Sequence, residues 1–184
     1  MHKTVYLNFF DGIDPVKVNK FIQFTTEVIR QHQPTELYFL IASNGGDVDS
    51  GFVLYNFLLS LQGKIVVTMH NTGTIDSIAN VIFAAGQNRY AAPNASFLFH
   101  GVSMNFGGPQ NRTALKEALS RLEGMENRIA LTVSKHSKLT TAELTGLFQQ
   151  GEGKDVNFAL SKAIIQDIRV PSIPVGAVHL AMTF

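Results

Sequence analysis

Glu36-Leu-Tyr-Phe-Leu-Ile-Ala42 runs into Ser43-Asn-Gly45-Gly46-Asp-Val-Asp-Ser-Gly51, and from Val53 the chain turns apolar again as Val-Leu-Tyr-Asn-Phe-Leu-Leu-Ser-Leu61. The first run is almost wholly apolar, as expected of a parallel strand covered on both faces, and the last is a helix following a glycine turn. The same unit recurs on either side. Upstream, Val5 to Phe9 reads as a strand. Asp14-Pro15 then supplies the cap and first-turn proline of a helix reaching to about Gln31, along which Val18, Phe21, Ile22, Thr25, Val28 and Ile29 fall at helical spacing. Downstream, Lys64 to Met69 is a third strand, and Ser77 opens the apolar helix after it. Three strand-helix units in succession predict an α/β layered fold with parallel pairing and right-handed crossovers.

Beyond that helix, Asn88 to Tyr90 and Ala95 to His100 read as short strands separated by the turn Pro93-Asn94. From Pro109 to His136 the series Leu115, Leu119, Leu122, Met125, Ile129, Val133 predicts a long helix with one apolar stripe. Such a helix packs on its own domain or on a neighbouring subunit. Thr140-Thr-Ala-Glu143 has capping-box spacing, and Asp155 to Ala163 with Ile164 to Ile168 closes the pattern. The tail over 170–184 is apolar but irregular. A chain of 184 residues, 45% hydrophobic and 16% charged, fits one domain spanning 1–184.

Composition narrows the function classes. Fifteen basic and 14 acidic residues leave a net charge of +1 with no basic block, so nucleic acid is not an expected partner. The absence of cysteine removes disulfides, thiol nucleophiles and cysteine-bound zinc. No secretory signal opens the sequence, and the longest apolar runs fall short of the roughly 20 residues that a membrane helix needs. A soluble, cytoplasmic protein without membrane partner, metal or cofactor is expected. The Gly45-Gly46 loop invites a phosphate-binding reading, but Phe52 and Val53 stand where the Walker pattern needs Lys and Ser or Thr, and Asp47 and Asp49 repel phosphate.

Three residues then point to acyl-transfer chemistry. Ser77 at the mouth of a helix is placed as a nucleophile would be, although Ser and the neighbouring Asp76 are also ordinary N-caps. Gly46, lacking a Cβ, lets a reacting carbonyl approach its N–H, although the loop also reads as a plain tight turn. His100 at a strand end is able to take a serine proton near neutral pH.

In combination, these segments resemble the Clp protease proteolytic-subunit family, serine peptidases of the Clp/crotonase fold. Gly45-Gly46-Asp-Val-Asp-Ser-Gly51 with Tyr55 is similar to the family's glycine loop, with Asn44 where proline is usual; Gly45 then belongs to the substrate-binding loop and Gly46 donates one oxyanion N–H. Gly73-Thr-Ile-Asp-Ser77-Ile, running on to Ala84-Ala-Gly86, resembles the nucleophile segment, with Asp76 in place of a small residue. Ser77 is then the nucleophile and the N–H of Ile78 the second oxyanion donor. Arg89-Tyr-Ala-Ala-Pro93-Asn94, continuing to His100, resembles the segment that carries the general base.

The resemblance covers roughly Val5 to Arg169, with 109–136 as the family's handle helix. It implies acyl-enzyme hydrolysis of peptides or unfolded chains inside a homo-oligomeric ring. At the place of the third triad member stands Gly151; Glu152 beside it is the preferred substitute, with Asp155 one helical turn on. The family's axial-pore segment precedes its first strand, whereas this chain starts almost on the strand, so obligatory partnership with an unfoldase ATPase is not expected. Two other classes compete: a non-catalytic scaffold or regulatory subunit of the same fold, and an acyl-CoA hydratase or isomerase of the crotonase type, which would want a carboxylate such as Asp47 or Asp76 over the site.

Overall fold

Asp14 accepts the N–H of Lys17 at 2.9 Å and Pro15 occupies the first turn, so the first helix begins where the cap signature places it. Asp47 does the same for the second helix through the N–H of Ser50 at 2.8 Å, which starts that helix at Val48 rather than Val53. The computed structural model describes residues 3–182. In chain order its elements are β1 (Thr4–Phe10), α1 (Pro15–His32), β2 (Glu36–Ser43), α2 (Val48–Leu61), β3 (Val66–Asp76), α3 (Ala79–Ala84), β4 (Asn88–Ala91) and β5 (Ser96–Leu98). They continue as α4 (Arg112–Lys135), α5 (Thr141–Gln150), β6 (Gly153–Asp155), α6 (Val156–Ser161), β7 (Asp167–Ile168) and β8 (Val178–Ala181).

The sheet is mixed α/β in the expected sense. Its order is β6-β5-β3-β2-β1-β8, with β4 paired to β3 and β7, and the pairing is parallel except between β5 and β6. Phe9, Phe39 and Phe21 meet at ring distances of 5.4 Å where α1 lies on β1 and β2. Leu54 and Leu58 of α2 are fully buried in the same core, where each apolar side chain contributes about 1.5–3 kcal/mol on burial.

Two features depart from the sequence expectation, and the first positions the site. The third strand continues from Met69 to Asp76 by changing partners: Thr68 to Asn71 pair with β4, then Thr74 to Asp76 pair with β5. Between them Asn71 Oδ1 accepts the N–H of Gly73 and its Nδ2 donates to the Ser96 carbonyl, while the β2 register shifts between Ile41 and Ser43. Ser77 therefore stands at the carboxyl end of a long strand. The tail, expected to be irregular, instead adds β8 beside β1.

The long helix packs by only part of its stripe. Ala118, Ile129, Ala130 and Val133 are buried, whereas Leu115, Leu119 and Leu131 stay about half exposed. No helix among the described residues is long and apolar enough to cross a membrane.

Candidate active site

Ser77 adopts φ 56°, a left-handed conformation that costs a non-glycine residue about 1–2 kcal/mol and persists only where the surroundings hold it. The N–H of Ser77 donates to the Leu98 carbonyl at 3.0 Å, and Asn80 Nδ2 donates to the carbonyls of Ser77 at 3.1 Å and Leu98 at 2.9 Å. The capping explanation for Ser77 fails. The N-cap of α3 is Ile78 and no side chain caps that helix, which is only six residues long. Asp76 is likewise no cap, since its Oδ1 accepts the Thr74 hydroxyl at 2.5 Å.

The glycine loop fits around this turn. A Cβ on Gly45 (φ 81°) would lie 2.7 Å from both the Asp76 carbonyl oxygen and Ser77 Cβ, and one on Gly51 would lie 2.2 Å from Ile78 Cγ1. Gly46 (φ 146°) owes its identity to another neighbour, because a Cβ there would meet the Ile13 carbonyl oxygen at 2.1 Å. Ile13 pins the loop through its N–H to the Gly45 carbonyl and its own carbonyl to the Asp47 N–H, both at 2.8 Å. Among the described residues the N–H groups of Gly46 and Ile78 take no hydrogen bond.

Ser77, Gly46 and His100 line one cleft of about 400 Å³, whose apolar lining is Val48, Val102, Met104, Leu122 and Met125. His100 lies just past β5, and no hydrogen bond joins it to Ser77 among the described residues. Its Nδ1 meets the carbonyl oxygen of Gly101 at 2.8 Å. Asp47, also on the cleft, caps α2 through Oδ1, and Asp76 Oδ1 holds the Thr74 hydroxyl.

No hydrogen bond joins Glu152, the preferred third member, to the imidazole among the described residues. Glu152 is exposed and pairs with Lys154 Nζ at 3.2 Å, while Asp155 caps α6 through the N–H of Phe158 at 2.8 Å. Gly151 itself ends α5 in a left-handed cap (φ 60°), its N–H on the Leu147 carbonyl at 3.0 Å, which is the work of a glycine. The segment after His100 is instead held from two helices: Gly101 N–H donates to the Phe148 carbonyl of α5 at 3.1 Å, and Val102 N–H donates to Glu126 Oε1 of α4 at 2.9 Å.

A sequence model described as Clp protease matches residues 9–170. The chain belongs to the Clp protease family. It is 24% identical over 167 residues to the ATP-dependent Clp protease proteolytic subunit 2 of Pseudomonas aeruginosa, covering 89% of this chain and 82% of that protein. Over 135 residues it is 25% identical to the ATP-dependent Clp protease proteolytic subunit 3 of Streptomyces avermitilis, covering 72% of this chain and 60% of that protein. A shorter stretch of 74 residues is 32% identical to the corresponding subunit 2 of Borreliella burgdorferi, covering 39% and 36%.

In this Clp protease family chain, two polar residues with no role of their own assigned from sequence hold backbone carbonyls around the fold. Asn80, 3% exposed, clamps the Ser77 turn; its signal was a single amide interrupting an apolar helix. Arg89 is buried, with guanidinium nitrogens on the carbonyls of Ile164, Gly86 and His136 at 2.8 Å and of Ala163 at 3.3 Å. It joins β4 to the end of α4 and the approach to β7, and its desolvation lowers its pKa from the usual value.

Proposed function

We propose that this chain is a serine peptidase that cleaves peptide bonds through an acyl-enzyme, with Ser77 as nucleophile and His100 as general base. The observation that carries the reading is a strained Ser77, free of any capping role, in one cleft with a histidine whose Nδ1 is already engaged. A carbonyl oxygen only accepts, so Nδ1 carries the proton and Nε2 keeps the lone pair that a general base needs.

Ser77 Oγ bonds to the scissile carbon while its proton passes to Nε2, and the N–H groups of Gly46 and Ile78 receive the oxyanion. The C–N bond breaks as Nε2 returns that proton to the departing amine. Water then repeats the sequence and frees the acid and Ser77. Losing the tautomer-setting aspartate costs a serine triad on the order of 10⁴ in turnover; here the Gly101 carbonyl keeps the tautomer, so the cost is confined to an imidazolium without an ionic partner.

The apolar wall of the cleft suits peptides or unfolded segments bearing apolar side chains. The half-exposed Leu115, Leu119 and Leu131 support a homo-oligomeric ring built through α4. A fluorophosphonate probe should label Ser77 in the native oligomer and not in Ser77→Ala, and His100→Ala should slow the labelling. An unlabelled Ser77 in intact oligomer would overturn the reading. That outcome belongs to a second reading, a non-catalytic scaffold subunit, which the neutral partner of His100 favours.

A further inference from the structure

We propose that Glu126, on the long helix α4, is the positioning carboxylate of this site, acting on His100 through the single peptide unit between Gly101 and Val102. The inference rests on the peptidase reading of Ser77 and His100. The Gly101 carbonyl that receives His100 Nδ1 and the Val102 N–H that Glu126 Oε1 accepts belong to one peptide group, which is planar and trans, so that the two point in opposite directions. A group that holds one end therefore aims the other.

Glu126 is half-buried, and a charge-assisted hydrogen bond of 2.9 Å is a strong restraint on a loop residue. A carboxylate on the N–H end also polarises the peptide toward its oxygen, which strengthens the bond that the imidazole makes there. Gly101 is part of the same device: a Cβ at that position would lie 2.8 Å from Glu126 Oε1, so the glycine leaves the carboxylate its place. Phe148 of α5 fixes the neighbouring Gly101 N–H at 3.1 Å, so both amides that follow His100 are tied to helices. In this reading the orienting carboxylate comes from α4 and works at one remove.

Glu126→Gln keeps an acceptor oxygen at full reach and loses the charge, whereas Glu126→Asp keeps the charge and draws it back by one methylene. With ¹⁵N-histidine labelling of the assembled protein, native and Glu126→Gln forms should both show His100 protonated on Nδ1. Glu126→Asp and Glu126→Ala should show mixed tautomers. Fluorophosphonate labelling of Ser77 should slow about tenfold in Glu126→Asp and Glu126→Ala, the scale of one lost hydrogen bond, and by less, within about threefold of native, in Glu126→Gln, which keeps the bond without its charge. Native tautomer and native labelling rate in Glu126→Asp would overturn the inference, and so would a Glu126→Gln variant as slow as Glu126→Ala. If the native protein itself resisted labelling, the peptidase reading would fall, and the tautomer comparison would still decide what Glu126 does.

Discussion

Gly45 and Gly63 have nearly the same backbone angle, φ 81° and 87°, but quite different neighbours. An added Cβ at Gly63 meets nothing within 4 Å, so Gly63→Ala should cost only the left-handed penalty of about 1–2 kcal/mol. At Gly45 the same methyl strikes backbone and Cβ of the Ser77 turn at 2.7 Å, adding about 1–3 kcal/mol of overpacking to that penalty. Urea denaturation should therefore rank Gly45→Ala well below Gly63→Ala; equal midpoints would show that the glycine loop does not hold the serine turn. The glycines were visible in sequence as a loop that bares a backbone N–H. Their actual partners were not, because Ile13, Ser77 and Ile78 come from other segments and only the folded sheet brings them there.

At the level of elements, what is local was readable. The box at the start of α5 forms as its spacing indicates: Thr140 Oγ1 accepts the Glu143 N–H at 3.1 Å and Glu143 Oε2 accepts the Thr140 N–H at 2.8 Å. Lys162 Nζ at 2.6 Å and the Thr140 bonds pull the Glu143 carboxyl down to about 2. Thr140→Ala should lower stability by about 1 kcal/mol, read as a shift in the urea midpoint, with Thr140→Ser close to native. A native midpoint for Thr140→Ala would mean that packing alone sets the start of α5. Elements whose pairing is distant were not readable: β8 finds β1 from the other end of the chain, and β3 outruns its apolar run because β5 waits as a second partner. The same limit applies to Glu126, whose carboxylate meets the segment after His100 from the middle of α4, a contact that no local sequence pattern signals.

Across the whole molecule, one fully buried and one half-buried histidine join distant parts in their neutral form. His70 of β3, fully buried, takes the Tyr38 hydroxyl on Nδ1 at 2.7 Å and gives its Nε2 hydrogen to the Arg169 carbonyl at 2.9 Å, tying the sheet to the segment after β7. His136, beyond the end of α4, meets the Tyr55 hydroxyl of α2 at 2.8 Å. Burial lowers both pKa values below 6.5; at His70 the bond to the Arg169 carbonyl opposes this while the Arg169 charge adds to it, and at His136 the charges of Arg89 and Lys135 add to it. A lowered histidine pKa means that the unfolded chain binds the proton more readily, so the stabilisation is complete above about 6.5 and drains away as pH falls toward the folded values. Glu143 has the same sign but acts lower, between its ordinary value of 4.5 and about 2, so it leaves the histidine window clear. The urea midpoint should hold level from pH 8 to 7 and drop between pH 6.5 and 5. His70→Gln, destabilised at neutral pH, should show a shallower drop across that window. A midpoint that stays level through pH 5 in the native protein would mean that both rings accept a proton where they stand, and that neither is held neutral by the fold.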